Sequence, residues 1–167
     1  MPRFLIIGGS DRAEREEVLE RLTSALSAAG FKVGVAVHLP LAPEEEKGEG
    51  NGARRFSRAG AVQVLITRGK DAALRGKQGG LTPLKRIGAR YFNAADILLA
   101  SGYFDPVSLL EACLSDDPAR LKHLKDPRLT GVVCRRLRPG LPVPVYLLDD
   151  LAPLVRAVME CGGTTPL

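Results

Sequence analysis

The stretch FLIIGGSDRAEREEVLERL, Phe4 to Leu22, constrains the fold more than any other part of the chain. A short apolar run reaches two glycines and a polar turn. Val18, Leu19, Leu22, Ala25 and Leu26 then recur at the spacing of one helical face until Gly30 interrupts it. Lys32 to Val37 is rich in valine and reads as a strand. Strand, helix and strand in such close succession predict a βαβ unit, with parallel strands and a right-handed crossover. A chain that starts this way is committed to an α/β sheet with helices packed on it.

The alternation continues. A short helix through Arg55 and Arg58 leads to a strand over Val62 to Thr67. Thr82-Pro83 has the chemistry of an N-cap followed by a first helical position, and Asp96 to Ala100 reads as a fourth strand. Asp105-Pro106 and Asp117-Pro118 repeat that helix-start chemistry and predict helices over Val107 to Leu114 and Ala119 to Leu124. Leu129 to Cys134 and Val143 to Leu148 read as strands, and Leu151 to Cys161 as a closing amphipathic helix ended by Gly162. Two segments lack periodicity and read as loops: Leu39 to Gly52, and the glycine-rich Arg68 to Gly80. With no linker or repeat, all 167 residues are expected to form one domain. Its fold class is α/β, three layers, a mostly parallel sheet with helices on both faces.

Composition narrows the function classes. Aromatic residues are few and tryptophan is absent, which suits an aliphatic core between sheet and helices. Cys113, Cys134 and Cys161 are far apart and form no C-x-x-C pair, so neither a disulfide framework nor a zinc site is expected and no metal ligands are assigned. No apolar run approaches the length of about 18 residues needed to span a bilayer, and the amino-terminal segment lacks a signal-peptide pattern. The expected location is the cytoplasm, with no membrane partner. The net charge is +5, and seven basic residues between Arg68 and Arg90 stand against Asp71 alone. Such a patch could draw an anionic partner, but no nucleic-acid motif accompanies it. A solvated loop and helix face is the expectation, not nucleic-acid binding.

The opening turn has the layout of a phosphate loop, G-x-x-x-x-G-K-[ST]. In such a loop the backbone amides face the phosphates, the lysine reaches the outer ones and the hydroxyl holds magnesium. The best register places Gly9 at the first glycine, Glu14 at the second, Arg15 at the lysine and Glu16 at the hydroxyl, with Ser10, Asp11, Arg12 and Ala13 between. Only the first glycine and a positive charge persist. Carboxylates at a polyphosphate site oppose the ligand. Acids in a first helical turn also stabilise the helix against its dipole by about 0.3–1 kcal/mol each, so ordinary helix design explains Glu14, Glu16 and Glu17 as well.

Several further stretches, taken in order, resemble one family. They are GFKVGVAVH (Gly30 to His38), RRFSRAGAVQVLIT (Arg54 to Thr67), ADILLASGYF (Ala95 to Phe104), DPRLTGVVC (Asp126 to Cys134) and LPVPVYLLDDLAPLV (Leu141 to Val155). The family is that of the molybdopterin-guanine dinucleotide biosynthesis protein B (MobB), P-loop GTP-binding proteins that assist nucleotide attachment to the molybdenum cofactor. No single motif is decisive, but the ordered set covers most of the chain. The resemblance implies a P-loop NTPase-like fold and a site drawn from matching positions. His38 carries over from a longer histidine and aspartate pattern, Arg55 precedes an Ala-Gly-Ala turn, and Asp96 and Gly102 bracket the fourth strand. Where the family pattern has an acid before the glycine, this chain has Ser101.

The expected nucleotide-binding set, in degenerate form, is therefore Gly9, Ser10, Asp11, Arg12, Ala13, Arg15, Glu16, His38, Arg55, Asp96 and Gly102. No catalytic residue is assigned: neither Ser10 nor Ser101 has an evident base beside it, and His123 gives no chemical signal. Asp96 could bind a metal through water or cap a neighbouring turn. Arg135, Arg136 and Arg138 could meet an anionic partner or lie on a solvated turn. The resemblance implies an accessory protein of molybdenum cofactor biosynthesis that acts by binding, with GTP and magnesium held weakly or not at all and molybdopterin concerned only indirectly. Its implied partners are the guanylyltransferase that makes the dinucleotide, or a molybdoenzyme, and a second copy in a homodimer. The alternative is an active GTP-hydrolysing protein in which Arg15 replaces the lysine, a change that is not conservative because arginine is a bulkier, forked donor.

Overall fold

In the computed structural model, which describes residues 1–39, 49–69 and 83–160, the opening βαβ unit forms as its periodicity predicts. β1 (Arg3–Gly8) leads to α1 (Arg12–Ala28) and then to β2 (Val33–Leu39). α2 (Glu49–Arg58), β3 (Ala61–Arg68), α3 (Leu84–Tyr91) and β4 (Ile97–Ser101) follow. The chain continues through β5 (Ser108–Ala112), β6 (Leu129–Cys134), β7 (Val145–Leu147) and α4 (Ala152–Glu160). The seven strands make one sheet in the order β3-β2-β4-β1-β5-β6-β7. Every strand pairing is parallel.

Alternate residues of each strand feed two cores. Leu5, Ile7, Val35, Leu99 and Leu110 point to one face, where Val18, Leu19, Leu22 and Leu26 of α1, Phe56 of α2 and Leu154 of α4 cover them. Ile6, Ala36, Leu98 and Leu109 point to the other, under Leu84 and Ile87 of α3 together with Phe92. Each fully buried Leu, Ile or Val contributes about 1.5–3 kcal/mol of transfer free energy, which is why both faces must be covered.

Two expected helices are absent. Val107 to Leu114 holds β5, whose five residues are all buried between β1 and β6. A strand covered on both faces reads as a continuous apolar run, which local pattern cannot separate from a buried helix. Asp105 does cap a helix, but a different one: its Oδ1 accepts the N–H of Leu84 at 2.8 Å, at the head of α3. Ala119 to Leu124 is likewise not a helix, and only a 3₁₀ turn forms at Pro118–Arg120. A helix would send the N–H groups of Lys122 and His123 to carbonyls four residues back. Both donate instead to the carboxylate of Glu111.

Other bounds differ by one to four residues. The seventh strand is shorter than Val143 to Leu148, and α2 begins at Glu49, inside the stretch expected as loop. Pro83, not Thr82, stands at the N-cap position of α3; Thr82, Cys161 and Gly162 lie outside the described residues. So do Lys70, Arg75 and Lys77 of the basic segment, whereas Lys85, Arg86 and Arg90 lie on the exposed face of α3. None of the described helices is long and apolar enough to cross a membrane.

The topology places one crevice. β1 leads leftward to β2, β4 leads rightward to β5, and these two strands are neighbours. Ligands in open parallel sheets bind outside the carboxyl ends of strands at such a switch point. Here those ends are Gly8-Gly9 and Ser101-Gly102.

Candidate functional site at the head of the first helix

Gly9 leaves β1 at φ 136°, and a Cβ there would lie 2.4 Å from the carbonyl oxygen of Ala112, so the turn requires glycine. Asp11 is the N-cap of α1, and its Oδ1 accepts the N–H of Glu14 at 3.0 Å. The positive end of the helix therefore already holds an anion, and that anion belongs to the chain.

The three altered phosphate-loop positions are each engaged. Glu14 turns sideways: Oε2 accepts the N–H of Leu114 at 3.1 Å and Oε1 pairs with Arg120 at 3.2 Å. Arg15 folds back onto the turn, donating from Nη1 to the carbonyl of Gly9 at 2.7 Å. Burial lowers the Arg15 pKa from its usual value, with Asp11 and Glu16 opposing the shift. Glu16 pairs with Arg12 at 2.8 Å and with Arg55 at 3.6 Å, and Arg55 also bonds Glu20. Arg120 completes the ring, 3.9 Å from Asp11. Arginines and acids alternate around the helix head, so its charges neutralise one another.

The remaining expected residues divide by position. Ser10 and Ala13 are exposed on the turn itself. His38, at the carboxyl end of β2, has Nδ1 2.8 Å from Oγ1 of Thr67 and stands edge-on to Tyr103 with ring centroids 6.1 Å apart. Gly102, at φ 83°, backs onto it: a Cβ would lie 2.2 Å from the His38 carbonyl oxygen. Asp96 is not brought to this edge. It precedes β4, at the opposite end of the sheet, where its Oδ2 accepts the N–H of Lys32 at 2.8 Å. That is the capping role, about five strand residues, or roughly 16 Å, from the level of Gly9.

Several groups at this edge give no sequence signal. A cavity of about 180 Å³ opens beside Gly8 and Gly9, walled by Tyr103, Phe104, Leu109 and His123 and flanked by Arg15 and Arg128. Arg128 donates to the carbonyls of Phe104 and Asp105 and pins the β4–β5 crossover, while its bonds to Asp126 hold that carboxyl down at about 2. Burial pushes the Tyr103 phenol up, with Thr67 acting in the opposite direction although no bond of good geometry joins the two. Among the described residues, no group of three or more His, Cys, Asp or Glu is placed to hold a metal ion.

No protein-family model matches the sequence, and no curated protein matches it significantly. Solved structures do match. A crystal structure of molybdopterin-guanine biosynthesis protein B (MobB) is 16% identical with a TM-score of 0.56, covering 94% of this chain and 97% of that one. A MobB homologue from Bacillus stearothermophilus is 15% identical with a TM-score of 0.55, covering 96% and 97%. MobB of Bacillus subtilis is 18% identical with a TM-score of 0.54 and the same coverage. With seven parallel strands and helices on both faces, this chain has the α/β, P-loop NTPase-like fold seen in the MobB structures.

Proposed function

We infer that the protein is an accessory factor of molybdopterin-guanine dinucleotide biosynthesis that acts by binding a partner and not by turning over a nucleotide. The fold it shares with MobB structures over nearly all of both chains supports the first part. The observation that carries the second is the Asp11 N-cap: its carboxylate takes the Glu14 N–H that a phosphate loop would turn to its ligand. The neighbouring groups do not fit magnesium–GTP either. Arg15 is folded onto the Gly9 carbonyl, away from where an outer phosphate would be gripped, and Glu16 is paired with two arginines where a metal-bound hydroxyl would stand. In this reading the protein works in the cytoplasm as a homodimer docked on the guanylyltransferase or on a molybdoenzyme, and molybdopterin is met only through that partner.

Calorimetric titration with magnesium–GTP tests the reading. The expected result is no binding in the micromolar range. Low-micromolar binding, with phosphate release abolished by Arg15→Ala, would establish the hydrolytic alternative instead.

A further inference from the structure

The cavity beside Gly8 has features that the helix head does not explain. Glu111 is a fully buried carboxylate on a central strand, in the face of the sheet that otherwise carries Leu109 and Cys113. Burying a carboxylate is costly unless its oxygens are occupied. Here they accept the N–H groups of Lys122 and His123, the latter at 3.1 Å, and Oε1 stands 3.2 Å from Nδ1 of the His123 ring. That last separation is a close approach outside hydrogen-bond geometry. One buried acid thus holds the backbone of His123 at the cavity wall and stands beside its ring.

The floor is fitted to that ring. A Cβ on Gly8 would lie 3.3 Å from Cε1 of His123 and 2.9 Å from Cδ1 of Leu109, so the imidazole packs closely against the strand at Gly8. Tyr103, 3% exposed, lines the same cavity with a hydroxyl that has no partner of hydrogen-bond geometry. Arg15 supplies a guanidinium at the rim. Phe104 is 84% exposed at the mouth, although Arg128 pins its carbonyl. Aliphatic and aromatic walls with a few convergent polar groups are the usual make-up of a small-molecule site.

We propose that this cavity binds a small organic oxyanion, a carboxylate or a phosphate monoester, with His123 as its chief contact and the apolar body of the ligand against Leu109 and Phe104. Arg15 adds positive charge. The nearby acids each have a partner within the chain: Glu111 accepts the N–H groups of Lys122 and His123, Asp126 is held by Arg128, Asp11 caps α1, Glu16 pairs with Arg12 and Asp105 accepts the N–H of Leu84. Glu111 is a positioning residue, acting through His123. Arg15 is shared with the helix head, whereas His123, Glu111 and Phe104 lie outside it, and the test at those three residues uses no magnesium or nucleotide.

The full chain, free of magnesium and nucleotide, is titrated with phenyl phosphate, with benzoate and with neutral benzyl alcohol while the His123 ring signals are followed by NMR. One or both anions are expected to shift those signals and benzyl alcohol to leave them in place; the tighter of the two anions assigns phosphate or carboxylate. His123→Ala should weaken anion binding about tenfold, as expected for the loss of a principal hydrogen bond. Arg136→Ala, at an exposed arginine that does not line the cavity, should not change it. Glu111→Gln should weaken binding and also move the His123 signals without ligand. Phe104→Ala, at an exposed position that does not threaten folding, should weaken phenyl phosphate as well. Unmoved His123 signals with both anions, or equal binding to His123→Ala, would overturn the proposal whatever GTP does.

Discussion

The carboxylate of Glu14, in the first turn of α1, accepts the backbone N–H of Leu114, one hundred positions along the chain, at 3.1 Å. It ties the helix head to the end of β5, and Arg120 holds its second oxygen. Glu14→Ala removes both contacts and leaves the N–H of buried Leu114 without its acceptor. A loss of about 1–3 kcal/mol is expected, read as a lower urea midpoint with an unchanged slope.

Asp11 performs two tasks whose consequences separate on mutation. Asp11→Ala should destabilise the fold by about 1 kcal/mol through the lost cap. It should also strengthen the interaction with magnesium–GTP relative to the unaltered chain, because the internal anion is gone from the helix N-terminus. Calorimetry on the two proteins side by side checks the second outcome and thermal melting the first.

Gly102 carries a positive φ and has the His38 carbonyl where a side chain would begin. Gly102→Ala must displace the end of β2 or the crossover into β5. A loss of more than about 1 kcal/mol is expected, with changes in the amide signals of His38 and Thr67 in an NMR spectrum.

Asp126 makes stability depend on acid. Its bonds to Arg128 hold the carboxyl at about 2, below an unfolded value of about 3.9. A depressed carboxyl contributes stability that is fully present above the unfolded pKa and lost as pH falls through the folded one. The difference in urea midpoint between the unaltered chain and Asp126→Asn should therefore be constant above about pH 5 and close between about pH 4 and pH 2. A difference that persists at pH 2 would show that the ion pair with Arg128 is not its source.

Local pattern was sufficient for the first βαβ unit and for β3, β4 and β6. Their periodicity and their stop signals are properties of neighbouring residues, and the chain keeps them wherever it packs. The same holds for the kinds of residue at the head of the first helix, Glu14, Arg15 and Glu16, which are read directly from the chain. β5 was not legible in this way: SLLEA can be a buried helix or a buried strand, and only the gap between β1 and β6 selects one. Nor could the helix-start signal at Asp105 show that its carboxylate would cap α3, a helix that precedes it in the chain.

By itself, the sequence determined the α/β class, the glycine turn after the first strand and the run of charged residues that follows it, because each is written in residue type and short-range spacing. Tertiary structure alone decided what the charges do. Glu14 and Glu16 are turned to Leu114, Arg12 and Arg55, Asp96 is carried to the far edge, and Glu111 meets His123 under a segment that local signals assign to a helix. A carboxylate takes whichever donor the fold brings within about 3 Å, and strand order sets that distance, not position along the chain.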